Sequence, residues 1–300
     1  RDGLIWSKCM VVELVAQTVV NGINVGALYG LTAVGLSLTF GVMKILNVGH
    51  GEFLMLGGFI AFWLLRLWGV DPFLGLPVVA AALFLIGAFC YRLLFSTLSG
   101  FHEHVKVKNS LLVGFGLFLV VPHIARILWT GDERAITPVY SGESFPIWSV
   151  RVGYVPLAGL VVAIVVILLL HLFLTRTYFG KAVRGTSENW KAAKLMGINV
   201  NKTYMITFAI GTAIAGIGGI LVGLTQVISP DVGMGWTLKA LIVVVLAGIG
   251  SVGGAFFAGL ILGVIEAVGA IFMGPYAVAL GLLIFLLILM FRPQGLFGKA

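Results

Sequence analysis

Long uninterrupted apolar runs, separated by short charged segments, constrain this chain more than any other feature. A helix that crosses the hydrocarbon core of a bilayer needs about 20 apolar residues. Runs of that kind lie near 12–28, 29–46, 52–69, 74–97, 109–130, 154–174, 203–227, 238–250, 255–273 and 276–291. None alternates polar and apolar positions with a period of two, which argues against a membrane β-barrel. The expected fold is therefore all-α, a polytopic transmembrane bundle of about ten spans, with eight as the alternative. The 238–250 run is short and glycine-rich, so a broken or re-entrant helix is expected there.

Composition supports the same class. Of the 300 residues, 60% are hydrophobic and only 10% charged, against the roughly 25% that a soluble domain uses to cover its surface. Mean hydropathy is +1.12. The net charge of +8 is not spread as a basic stripe for nucleic acid. Its cations cluster between apolar runs, as the positive-inside rule requires. Residues 175–202 carry Arg176, Lys181, Arg184, Lys191, Lys194 and Lys202 against Glu188 alone, so this loop is assigned to the cytoplasm. Arg92, Lys106 and Lys108 fall on the same side, and the acidic 132–151 segment on the opposite one. Arg292 and Lys299 place the C-terminal end inside, and a ten-span count places the N-terminal end inside too. The expected organisation is a tail over 1–9, with Met10 as an alternative start, and one transmembrane domain over 10–300.

Motifs of soluble chemistry are absent or misplaced. Gly248–Gly253 reads G-x-G-x-x-G, but it lies among membrane segments and the next acid, Glu266, comes too soon for a dinucleotide fold. A P-loop, a zinc-protease motif and a nucleophile triad are all missing from the sequence. His102 and His104 form an isolated pair in a basic loop, and Cys9 and Cys90 are far apart. No enzyme activity, cofactor or metal site is expected. Small residues recur at every fourth position in Gly22-Gly26-Gly30 and in Gly211-Ala215-Gly219-Gly223. Such ladders let helix backbones approach closely in lipid and signify packing rather than a ligand site.

Polar groups within apolar runs are costly and face a cavity or a partner. Asn21, Asn24, Asn47, His50, Glu52, Gln226 and Glu266 are the path candidates. Asn47-Val48-Gly49-His50-Gly51 should break a helix and start the next near Glu52, where freed amides could meet a carboxylate. The basic loop holds Thr186–Gly197, which reads as a short helix started by Thr186 or Ser187 and ended by Gly197.

Lys191-Ala192-Ala193-Lys194-Leu195-Met196-Gly197 resembles the cytoplasmic coupling loop of ABC importer permeases, with Lys191 where that motif has glutamate. Asn21–Leu31, Gly35–Gly41, Leu46–Gly57, Lys239–Ala255 and Phe291–Gly298 together resemble the branched-chain amino-acid ABC transporter permease family, LivH type. Val48, Gly49 and Glu52 depart from that family's usual Asn-Phe-Ala-His-Gly-Asp pattern. The resemblance implies an importer subunit in the bacterial inner membrane. It also implies ABC ATPase subunits, a second homologous permease and a periplasmic solute-binding protein as partners. Glu188, Trp190, Ala192, Ala193, Leu195 and Gly197 are then the ATPase-coupling candidates, and a branched-chain amino acid, urea or a short amide the cargo. An ion-coupled secondary transporter is the alternative, because a buried acid such as Glu266 suits ion coupling.

Overall fold

The computed structural model describes residues 2–100, 102–147 and 150–298. Lys299, used above to orient the C-terminal end, lies outside them. The elements in order are α1 (Asp2–Met43), α2 (His50–Trp68), α3 (Leu76–Cys90), α4 (Glu103–Trp129), a small hairpin β1 (Ser144–Ile147) and β2 (Val150–Gly153), α5 (Tyr154–Arg176), α6 (Tyr178–Glu188), α7 (Trp190–Leu195), α8 (Val200–Thr225), α9 (Val232–Ala247), α10 (Val252–Met273) and α11 (Ala277–Phe291). Among the described residues seven helices are long and apolar enough to cross a membrane, and α9 and α11 are shorter apolar helices. This is a polytopic helical membrane protein, as the apolar runs imply.

The span count differs from expectation at one place. The runs 12–28 and 29–46 form a single helix, α1, rather than two. Glycine in a helix costs roughly 1 kcal/mol relative to alanine, so Gly22, Gly26 and Gly30 read locally as weak points. Packing against α10 overrides that weakness. A Cβ on Gly26 would lie 2.7 Å from the Leu260 Cα, one on Gly22 2.8 Å from the Val264 Cα, and one on Gly30 2.8 Å from the Phe256 carbonyl oxygen. Gly259 and Gly263 return the contact, facing Gly30 and Gly26. The two helices meet backbone to backbone over several turns.

Merging the two runs also moves the N-terminal end to the other face. The Gln17 side chain donates to the Arg151 carbonyl at 2.9 Å and accepts from the Arg151 amide at 2.8 Å. Residue 17 therefore lies at the level of the 132–151 segment, opposite the basic loop, and the inside placement expected from ten spans is corrected.

The second ladder packs as expected, with α8 at the centre of the bundle. Gly211 meets Gly35 and Thr39 of α1, Gly219 meets Leu54 and Gly58 of α2, and Gly216 meets Leu83 of α3. Residues 248–251 form the turn between α9 and α10, and Val252 and Gly253 already belong to α10. Gly248 and Gly250 have φ of +98° and +87°, values that side-chain-bearing residues rarely adopt, and the Ser251 hydroxyl caps α10 by accepting from the Gly254 amide at 3.3 Å.

The backbone contact at Gly26 gives a direct test. Gly26→Val is expected to destabilise the chain by about 1–3 kcal/mol, because backbone on α10 must move to admit the side chain. Thermal unfolding in mild detergent measures this, and Gly116→Val, at a position with open space around it, is the control expected to change little.

Candidate functional site

Two interruptions of the helical chain reach into the bundle and define its most distinctive region. The first is residues 44–49. It opens at Lys44, whose φ of +54° is unusual for a non-glycine residue. It then folds back beside α1, so that His50 Nε2 lies 3.2 Å from the Thr32 carbonyl, well inside α1. The second is residues 226–231, which leave α8 and pair with Arg134 through Ile228, at 2.6 and 2.8 Å, before α9 begins.

The helices that follow these interruptions, α2 and α9, meet at their N-termini. The Gly51 amide donates to the Thr237 hydroxyl at 2.8 Å, and neither Gly51 nor Gly233 leaves room for a Cβ against the other chain. Helix N-termini carry partial positive charge, so two such ends converge here. The helix break expected at Asn47–Gly51 is present, and α2 starts at His50.

Several amides at this break are already engaged. The Gly49 amide donates to Asn47 Oδ1 at 3.1 Å, the His50 and Glu52 amides to backbone carbonyls at 3.2 Å, and the Leu46 amide to the Ser110 hydroxyl at 3.0 Å. These amides, with that of Gly51, are thus engaged within the chain rather than open to a carboxylate. What is left without a partner is the Asn47 Nδ2 amide and both carboxylate oxygens of Glu52, although Glu52 is only 1% exposed. Glu52 lines a cavity of about 160 Å³ with Phe118, Leu119, His123, Arg126, Asp231 and Met234. Arg126 and Asp231, ion-paired to each other, are exposed, as are Leu119 and His123.

The remaining path candidates fall into two other places. Asn21, Asn24 and Gln226 line one cavity of about 160 Å³ between α1, α5 and α8, so residues some 200 positions apart in sequence share a wall. Glu266 is separate. It forms an ion pair with Lys239 and accepts a hydrogen bond from the Tyr29 hydroxyl at 3.0 Å. Lys239, Arg126, Asp231 and Thr237 were not singled out from the sequence as site residues. Lys239 and Arg126 had a usable signal, as lone cations in apolar runs; Thr237 had none.

In the basic loop, α6 and α7 are separated by Asn189, not started by Thr186 or Ser187. The Asn189 side chain accepts from the Lys191 and Ala192 amides at 3.1 and 3.0 Å, a standard N-cap. Thr186 and Ser187 instead donate back to carbonyls of α6. Gly197 ends the loop helix with φ of +83°, as read from sequence. Ala193 is 5% exposed and packs inward, whereas Leu195 and Met196 are 89% and 83% exposed. Ala192, Leu195 and Met196, spaced i, i+3 and i+4, form one outward face. Glu188 is exposed and Trp190 half-buried beside it, with the Lys191 ammonium 5.7 Å from the indole centre.

The chain is thus a polytopic membrane bundle with two helix breaks whose following helices meet, and with a capped loop helix between α6 and α8. The family model for the permease component of branched-chain amino acid transport systems matches residues 18–291. The chain is 36% identical to the high-affinity branched-chain amino acid transport system permease protein BraD of Pseudomonas aeruginosa, over 94% of this chain and 95% of that protein. It is 28% identical to the corresponding LivH protein of Escherichia coli K12, over 94% and 95%, and 28% identical to a probable LivH of Methanocaldococcus jannaschii, over 89% and 88%. No solved structure matches. The chain belongs to the branched-chain amino acid transport permease family.

Proposed function

We propose that this chain carries branched-chain or related small amino acids across a bacterial inner membrane as one permease of an ATP-driven importer. In this reading separate ATPase subunits hydrolyse ATP and dock on residues 175–202. A second, homologous permease completes the path, and a periplasmic binding protein delivers the solute on the face of the 132–151 segment. The observation that carries the reading is the outward face of Ala192, Leu195 and Met196. A soluble loop gains nothing from exposing two large apolar side chains side by side, and such a patch fits a protein groove. The family relatives' names support the cargo class.

Ion-coupled transport is less well supported. Glu266, the acid that suggested it, is held by Lys239 and Tyr29 and so has no vacant carboxylate for a travelling ion. Uptake of leucine into vesicles containing the assembled complex and its binding protein is expected to stop when ATP is depleted and to persist when an ionophore collapses ion gradients. The reverse pattern would sink the proposal.

A further inference from the structure

The cavity at the meeting of α2 and α9 has a chemistry that the transport reading leaves unassigned. Its buried member, Glu52, is a carboxylate with neither oxygen hydrogen-bonded. An unpaired buried carboxylate costs several kcal/mol unless a cation or donor reaches it. The surroundings make room for the group rather than neutralise it. A side chain on Gly233 would occupy the position of the Glu52 carboxylate, and two helix N-termini favour negative charge there. Two of the exposed members, Arg126 and Asp231, hold each other. The rest of the lining includes the apolar side chains Phe118, Leu119 and Met234.

We infer that this cavity is a transit subsite for a zwitterionic amino acid. Glu52 receives the ammonium group, Arg126 exchanges Asp231 for the carboxylate of the solute, and the apolar wall takes the aliphatic side chain. The inference rests on the proposed transport function and deepens it. A volume of about 160 Å³ far exceeds the ~10–15 Å³ that admits one water and falls below the roughly 300–1,000 Å³ of pockets for drug-sized ligands, which suits a small solute. Calcium and magnesium take six or more oxygens, and the cavity's one unpaired carboxylate supplies two. An ammonium group carries three N–H donors, and the carboxylate has two oxygens waiting for donors. A neutral solute such as urea would leave the charge of Glu52 uncompensated. A zwitterion brings an ammonium to Glu52 and a carboxylate to Arg126, and it releases Asp231, the more exposed member of the mouth pair, to water.

The test uses the complete transporter in vesicles, with its ATPase, second permease and leucine-loaded binding protein. Glu52→Gln keeps the shape and removes the charge. Leucine imported per ATP hydrolysed is expected to fall about ten- to a hundredfold, the loss of a hydrogen bond to a charged group. Glu52→Asp should restore part of it, and complex yield should stay normal.

A second measurement does not depend on transport. With Cys9 and Cys90 replaced by serine, Met234→Cys places a thiol in the cavity wall. It should react faster with a cationic ethylammonium thiosulfonate than with its anionic sulfonate counterpart, and adding Glu52→Gln should remove most of that preference. Normal leucine import by Glu52→Gln, or a reagent preference untouched by it, would overturn the subsite. A native complex that imports no leucine with ATP present would instead overturn the transport reading, and the identity of the solute with it.

Discussion

Lys239→Met is expected to destabilise the chain by about 3–5 kcal/mol, the cost of leaving one member of a buried ion pair uncompensated. Lys239 on α9 and Glu266 on α10 pair with side chains only 18% and 11% exposed. The Lys239 ammonium also lies 5.2 Å from the centre of the Tyr29 ring on α1, and the Tyr29 hydroxyl donates to the other Glu266 oxygen. Three helices are thus joined through one carboxylate. Truncating the lysine strands that carboxylate among apolar side chains. Removing both charges should reverse most of the damage, so Lys239→Met/Glu266→Leu is expected to be far more stable than Lys239→Met alone. The double variant should keep a deficit of about 1 kcal/mol, because the Tyr29 hydroxyl loses its acceptor, and adding Tyr29→Phe should remove it. Unfolding in mild detergent, followed by helical circular dichroism, reads all three. Equal instability of the single and double variants would show that packing at Lys239, not charge pairing, holds these helices.

The same residues explain how far the sequence could be read. The helical membrane class follows from apolar runs that no other architecture accommodates, and the break before α2 follows from Asn47-Val48-Gly49-His50-Gly51, a local signal. Failures came where a distant neighbour decides the outcome. Gly22, Gly26 and Gly30 look like weak points until Gly259 and Gly263 are placed against them, and only then is one helix preferable to two. The Leu46 and Gly51 amides on either side of Asn47 look free until Ser110 and Thr237 reach them from α4 and α9. Glu266 resembles a lone acid because its partner lies 27 positions away on another helix. Asn21, Asn24 and Gln226 were each noticed as polar residues in apolar runs. That they share one cavity depends on α1 and α8 lying side by side, which neither segment encodes alone.

The loop helix carries the second large effect. Ala192, Leu195 and Met196 present one face away from the rest of the chain, held by the Asn189 cap at one end and the Gly197 turn at the other. A few well-buried side chains dominate most protein interfaces, each costing about 2 kcal/mol or more when lost. If Leu195 and Met196 fill a groove of the ATPase, Leu195→Asp/Met196→Asp should cost about 4 kcal/mol in docking, roughly a thousandfold in affinity. Coupled uptake should then fall to background. The membrane helices should be unaffected, because both side chains already stand in solvent. Ala193 is the wrong place for this test: it is packed inward, and its carbonyl accepts the Ile198 amide at 3.1 Å, so bulk there distorts the loop itself. Ala192→Trp is the better steric probe, being exposed on the docking face. Both variants should insert and purify normally yet fail to retain the ATPase in mild detergent. A surface helix lying on lipid headgroups gives the opposite result for Ala192→Trp, since tryptophan favours that interface. Normal ATPase retention by the aspartate pair would remove this face from the coupling path.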